Sequence, residues 1–192
     1  MRIGILGGTF NPPHLGHLLL AESARDELAL DQVVFIPAWR SPFKDSEECV
    51  DARIRLEMVA LAISDNAHFV CDGFEVERAR VSYTVDTIEH RRSAYPEDEL
   101  FLLLGADTFG EFHSWKNPER IVENATLAVA RRAGRPSLPA GILYSRQTRH
   151  FEMPAVHISS TDVRQRVRTG QSIRYLVPWT VRTFIEAQGL YR

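Results

Sequence analysis

The run Leu100-Phe101-Leu102-Leu103-Leu104, unbroken by any polar residue and ending in Gly105-Ala106-Asp107, constrains the fold more than any other stretch. A strand that is apolar at every position buries both of its faces, as happens in parallel sheets covered by helices on each side. Elsewhere strand-like and helix-like patterns alternate, as such a sheet requires. Strands are predicted at Ile3–Leu6, Gln32–Pro37, His68–Phe74, Leu100–Leu104, Thr126–Ala130 and Ala155–Ile158. Helices are predicted at Leu18–Leu30, Asp51–Asp65, Thr84–Ser93, Thr161–Thr169 and Pro178–Gln188, the last two stopped by Gly170 and Gly189. In the second helix Ile54, Met58, Leu61 and Ala62 share one face at helical spacing. Glycine and proline breaks between Ala133 and Gly141 read as a surface loop. The expected architecture is α/β: a doubly wound parallel sheet with helices on both faces. It forms a single domain over 1–192 whose part from about 159 is helical.

Composition narrows the partners. The 192 residues carry a formal net charge of -2, with 44% hydrophobic and 25% charged residues. That balance excludes a disordered chain and lacks the basic excess of proteins that live on nucleic acid. The N-terminal MRIGILGG has no basic leader and reads as a buried strand. No apolar run approaches the ~20 residues that span a bilayer. Cys49 and Cys71 show neither metal-ligand spacing nor a disulfide framework. A cytoplasmic address is expected, with no membrane and no nucleic acid as partner. Homo-oligomerisation is compatible with the sequence but not specified by it.

The chemistry concentrates where the first strand turns into the first helix, in Gly7-Gly8-Thr9-Phe10-Asn11-Pro12-Pro13-His14-Leu15-Gly16-His17. In open α/β sheets ligands bind outside the carboxyl ends of the strands. Glycines let the backbone approach a ligand, and the helix N-terminus beyond them favours negative charge. His14 and His17, three residues apart, share a face across a helical turn and can each donate a hydrogen bond to oxygen. The P-loop lysine and hydroxyl residue are missing, as is the third glycine of the dinucleotide fingerprint. Near the other end, Ser159, Ser160 and Thr161 leave a predicted strand and open a helix, with Arg164 one turn further on. Amides, hydroxyls and a guanidinium there suit an anion. Taken alone, the same residues read equally well as a helix cap at Ser160 and a solvated arginine.

Together the two segments resemble the signatures of the nucleotidyltransferase superfamily with the HxGH motif. Gly7–His17 is similar to its GGTF(D/N)PxHxGH string and Ile158–Arg164 to its ISSTxxR string. The resemblance implies a Rossmann-like fold and direct attack by an acceptor phosphate on the α-phosphorus of ATP, with pyrophosphate leaving. It makes His14, His17 and Arg164 the expected catalytic residues. Gly8, Thr9, Phe10, Gly105, Asp107, Ile158 and Ser159 become the expected ATP contacts. Mg²⁺ is expected as a substrate-bound ion held by phosphate oxygens and water, without a protein metal site.

Within that superfamily the chain most resembles bacterial nicotinate-nucleotide adenylyltransferases, which act in NAD biosynthesis. Val81–Thr87 is similar to their PSYTxxT segment and implies that Thr84 meets the pyridine carboxylate of nicotinate mononucleotide. Gly105-Ala106-Asp107 with Trp115 is similar to their GxDxxxxxxxW segment and implies stacking of Trp115 on the pyridine. Ile36–Lys44 is similar to their IPxxxxPHK loop, which makes Lys44 the expected ligand of the acceptor phosphate. The chain departs from the pattern at Val81, at Phe43 where histidine is common, and at Asn11 where aspartate is frequent. Two other readings share the superfamily signatures: a pantetheine-phosphate adenylyltransferase, and a nucleotide-sensing binding protein without turnover.

Overall fold

The structure, a computed structural model, describes residues 1–42, 49–132, 144 and 147–192. Six strands form one sheet: β1 (Arg2–Gly8), β2 (Gln32–Pro37), β3 (Phe69–Cys71), β4 (Glu99–Gly105), β5 (Thr126–Arg132) and β6 (Thr148–Met153). Every neighbouring pair is parallel, and the order across the sheet is β3-β2-β1-β4-β5-β6. The chain winds outward from β1 to one edge, then returns and winds outward from β4 to the other. The boundary between β1 and β4 is therefore the topological switch point, where a crevice opens at the carboxyl ends of the strands.

The apolar strands are continuous because helices cover the sheet on both sides. Leu100, Leu102 and Leu104 of β4 join Ile3, Ile5, Val34, Ile36, Leu127 and Val129 in one core. Its cover comes from α4 (Thr84–Ala94), α5 (Ala106–Gly110) and α6 (Pro118–Asn124). Phe101 and Leu103 face the opposite core with Leu6, Val33, Phe35 and Ala128. There the cover is α1 (Leu15–Glu27), α2 (Ala52–Ala62), α7 (Ser160–Arg168) and α8 (Trp179–Gln188). The period-two alternation of a strand thus splits each apolar run between two cores. Gly4 keeps one of these contacts possible, since a Cβ there would meet Leu30 Cδ1 at 2.9 Å.

Five expectations shift. The first helix begins at Leu15 and ends at Glu27, because Ala29 turns left-handed (φ 49°) and directs Leu30 into the core. In α2 the buried face is Ala52, Arg55, Met58, Val59 and Ala62, with Ile54 and Leu61 only half-buried. The third strand is short, Phe69–Cys71, and Phe74 instead opens a five-residue helix, α3 (Phe74–Arg78). The sixth strand is Thr148–Met153, not Ala155–Ile158. Pro154 lacks the N–H that would continue the ladder, so the chain leaves the sheet there and reaches α7 without further strand. Finally, α5, α6 and a 3₁₀ turn at Phe112–Ser114 fill a stretch read only as motif. The loop predicted at Ala133–Gly141 lies outside the described residues.

Candidate active site

A cavity of about 440 Å³ opens at the switch point, within the usual range for small-molecule sites. The ends of β1 and β4 supply Gly7, Gly8 and Gly105, and neither Gly7 nor Gly105 has an atom within 4 Å of where a Cβ would stand. A ligand can therefore lie directly against those two stretches of backbone.

The turn after β1 is built around Phe10, a left-handed residue (φ 50°) whose ring is 2% exposed. A Cβ on Gly8 would sit 3.0 Å from that ring, so the glycine is what lets Phe10 fold beneath the strand end. The ring meets His17 edge-on with centroids 4.9 Å apart. Phe10, expected as an ATP contact, is part of the cavity lining.

His14 is the residue that caps α1, with extended backbone, and it is 8% exposed. Its ring stacks on that of His17, centroids 3.7 Å apart and planes 30° apart, and both line the cavity. The His14 backbone N–H donates to His17 Nδ1 at 3.1 Å. Nδ1 is thereby an acceptor, which leaves the proton of the neutral ring on Nε2. Gly16 makes the stack possible: a Cβ there would meet His14 Cε1 and Nδ1, each at 3.0 Å.

The second motif clasps the first. Ser159, not Ser160, caps α7: its Oγ accepts from the Asp162 N–H at 3.1 Å and donates to Asp162 Oδ2 at 2.6 Å. Ser160 Oγ instead donates to the Pro12 carbonyl at 2.8 Å, and Arg164 Nη1 donates to the Asn11 carbonyl at 3.0 Å. Arg164 Nη2 lies 3.4 Å from Thr161 Oγ1. The side chain of Asn11, 6% exposed, accepts from Tyr191 OH at 2.8 Å. A neutral amide at this buried point avoids desolvating a charge. Burial pushes the Tyr191 phenol well above its ordinary range, so it remains a donor.

Of the remaining expected residues, Thr9, Thr84, Trp115 and Ile158 line the cavity. Thr84 is the first residue of α4, and Trp115 packs against Phe112 with ring centroids 5.4 Å apart. Arg164, Ser159 and Asp107 are not part of the lining; Asp107 is exposed in the first turn of α5. Lys44 lies outside the described residues.

Two residues escaped the sequence reading. Arg55, 1% exposed, donates to three carbonyls: Val50 at 3.0 Å, Thr9 at 2.7 Å and Trp39 at 2.8 Å. It ties the histidine turn to the chain beyond β2, and burial lowers its pKa from the ordinary guanidinium value. An arginine among helical apolar positions carried no signal. Glu75 lines the cavity, and burial raises its carboxyl above the ordinary range, opposed by hydrogen bonds from Thr87 and Ser82. Its acidic surroundings, FEVER, looked solvated. Among the described residues no group of three or more His, Cys, Asp or Glu could hold a metal ion, and no helix is long and apolar enough to cross a membrane.

The cytidylyltransferase-like family profile matches residues 5–166. A probable nicotinate-nucleotide adenylyltransferase of Exiguobacterium sibiricum is 46% identical over 192 residues, covering 100% of this chain and 99% of the relative. One of Thermus thermophilus is 43% identical over 196 residues and 100% of both chains. Among solved structures, a nicotinic acid mononucleotide adenylyltransferase of Plasmodium falciparum complexed with NaAD superposes with TM-score 0.80 at 19% identity. That match covers 99% of this chain and 97% of the other, and at such identity it establishes the fold alone.

Proposed function

The chain belongs to the cytidylyltransferase-like family, among its nicotinate-nucleotide adenylyltransferases, and we propose that it transfers the adenylyl group of ATP to nicotinate mononucleotide. The products are nicotinate adenine dinucleotide and pyrophosphate, a step of NAD biosynthesis in the cytoplasm. The observation that carries this reading is the stacked pair His14–His17 at the switch-point cavity, in one lining with Thr84 and Trp115.

An oxygen of the acceptor phosphate forms a bond to the α-phosphorus, and the bond from that phosphorus to the β-bridging oxygen breaks. The protein contributes position and charge stabilisation. Gly8 and Thr9 offer backbone to the phosphates, and His17 donates from Nε2 because Nδ1 is already engaged by the His14 amide. His14 supports that ring from its stacked face. Arg164 holds the histidine turn through the Asn11 carbonyl, and its guanidinium is the cation assigned to the phosphates. Gly105 and Ile158 border the adenosine, with Ser159 and Asp107 at its edge. Lys44 receives the acceptor phosphate, Thr84 the ring carboxylate and Trp115 the pyridine face.

The described lining offers amides, imidazoles and hydroxyls with the carboxyls of Glu75 and Glu111, and no metal-holding group of three or more His, Cys, Asp or Glu among the described residues, which suits a metal bound mainly through substrate oxygens. When bound there, Mg²⁺ would supply charge neutralisation for the phosphates. One helix terminus supplies at most ~2 kcal/mol against the ~8–23 kcal/mol that enzymes remove from a barrier, so these groups act jointly. The test is pyrophosphate release from ATP, Mg²⁺ and nicotinate mononucleotide by wild type and His17→Ala, alongside thermal melting. Loss of turnover in a folded variant is expected. Near-normal turnover contradicts the role of His17.

A further inference from the structure

The acceptor side of the cavity carries a carboxyl group that the chemistry above leaves unused. Glu75, in α3, lines the cavity together with Ser82 and Thr84. Its Oε1 accepts from the Thr87 hydroxyl at 2.5 Å, a part-buried bond to a residue that is itself 3% exposed. Among the described residues Glu75 makes no ion pair. The charges that act on it, Arg78 and Asp86, lie 3.5 Å from each other. A half-buried carboxyl placed in this way depends on the Thr87 hydroxyl for its compensation.

Thr87 stands on the first turn of α4, so its bond to Glu75 holds the turn that begins with Thr84. Just before that helix, Ser82 Oγ accepts from the Trp39 N–H at 3.0 Å, and the Ser82 N–H donates to the Arg40 carbonyl at 3.0 Å. Ser82 thus joins the start of α4 to the chain that leads into Ser41-Pro42, which also lines the cavity.

We propose that Glu75 is a positioning residue of the acceptor site: through Thr87, on the first turn of α4, it sets where Thr84 stands, while ATP on the far side is untouched. The inference rests on the reading of Thr84 as an acceptor contact. Glu75→Ala removes both acceptor oxygens; Glu75→Gln keeps the size and one oxygen.

The experiment measures KM for nicotinate mononucleotide and for ATP, with melting curves, for wild type, Glu75→Ala, Glu75→Gln and Thr84→Val. Glu75→Ala is expected to raise the acceptor KM roughly tenfold or more, the cost of one misplaced hydrogen bond, with the ATP KM within about twofold. Glu75→Gln is expected to recover most of that loss. Should Glu75→Ala not fold, Thr87→Val cuts the same bond from its other end and is expected to show the same one-sided rise. An equal rise in both KM values, or no rise, overturns the inference. If Thr84→Val raises the acceptor KM while Glu75→Ala does not, only the inference fails. If neither does, the acceptor reading of Thr84 fails with it.

Discussion

Gly16→Ala separates catalysis from stability at one methyl group. The added Cβ meets His14 Cε1 and Nδ1 at 3.0 Å, tighter than ordinary van der Waals contact. The imidazole cannot retreat toward His17, whose ring already lies at 3.7 Å between centroids, so it can yield only by turning within the cavity it lines. The ring must rotate, and a rotation of ~30° from a rotamer costs ~0.5–1.5 kcal/mol. Against this, alanine gains up to ~1 kcal/mol over glycine in a helix, and Gly16 is the second residue of α1 with no left-handed backbone to strain. The two nearly cancel. A net change within ~1 kcal/mol moves the melting temperature by roughly 2–4 °C for a chain of this size. Activity has no such compensation: a displacement of about 1 Å at a reacting centre can cost ~10²-fold. The assay pairs adenylyl transfer at saturating substrates with a melting curve. A folded variant with wild-type turnover refutes the claim that the stacked geometry of His14 and His17 matters.

Arg55→Met leaves three carbonyls without their donor; at ~1–3 kcal/mol each, partly offset by removing a buried cation, the loss is about 4 kcal/mol. Melting should fall by roughly 8–16 °C, and a shift below 3 °C contradicts the clamp. Arg164→Ala unties the turn from α7, and turnover over an ATP titration should fall at least tenfold, from ~1.5–3 kcal/mol per charged hydrogen bond. Unchanged kinetics assign Arg164 to the surface. Burial pushes the Cys71 thiol up to about 11, so the thiolate is present only above that range. Alkylation of Cys71 at pH 8, followed by peptide mass, should run more than ~100-fold slower than for a free thiol; a rate within tenfold contradicts this.

The central strands were legible because burial on two faces leaves no room for polar residues, and β4 shows it at all of Leu100–Leu104. The edge strand β6 was not: only Phe151 and Met153 face the core, and Arg149, exposed at the same parity, breaks the alternation. The two motifs were legible as strings, and the structure adds what the strings do to each other, Ser160 and Arg164 holding the Pro12 and Asn11 carbonyls. Arg55 and Glu75 were hidden for one reason: a charged residue in a helix reads as solvated, and only tertiary contacts reveal three carbonyls around one and the Thr87 hydroxyl against the other.

The central claim is the acceptor. Nicotinate and nicotinamide mononucleotides differ by a ring carboxylate against a neutral amide of nearly the same shape, and Thr84 with its loop amides offers donors that the amide N–H₂ cannot use. One mispaired polar group costs ~1–3 kcal/mol, about tenfold to a hundredfold. The decisive measurement offers both mononucleotides and phosphopantetheine to the protein in parallel with ATP and Mg²⁺, identifying products by mass. Nicotinate adenine dinucleotide should form with at least ~10-fold higher kcat/KM than the nicotinamide product, and phosphopantetheine should remain unmodified. Adenylylation of phosphopantetheine, or no dinucleotide from either mononucleotide, contradicts the account.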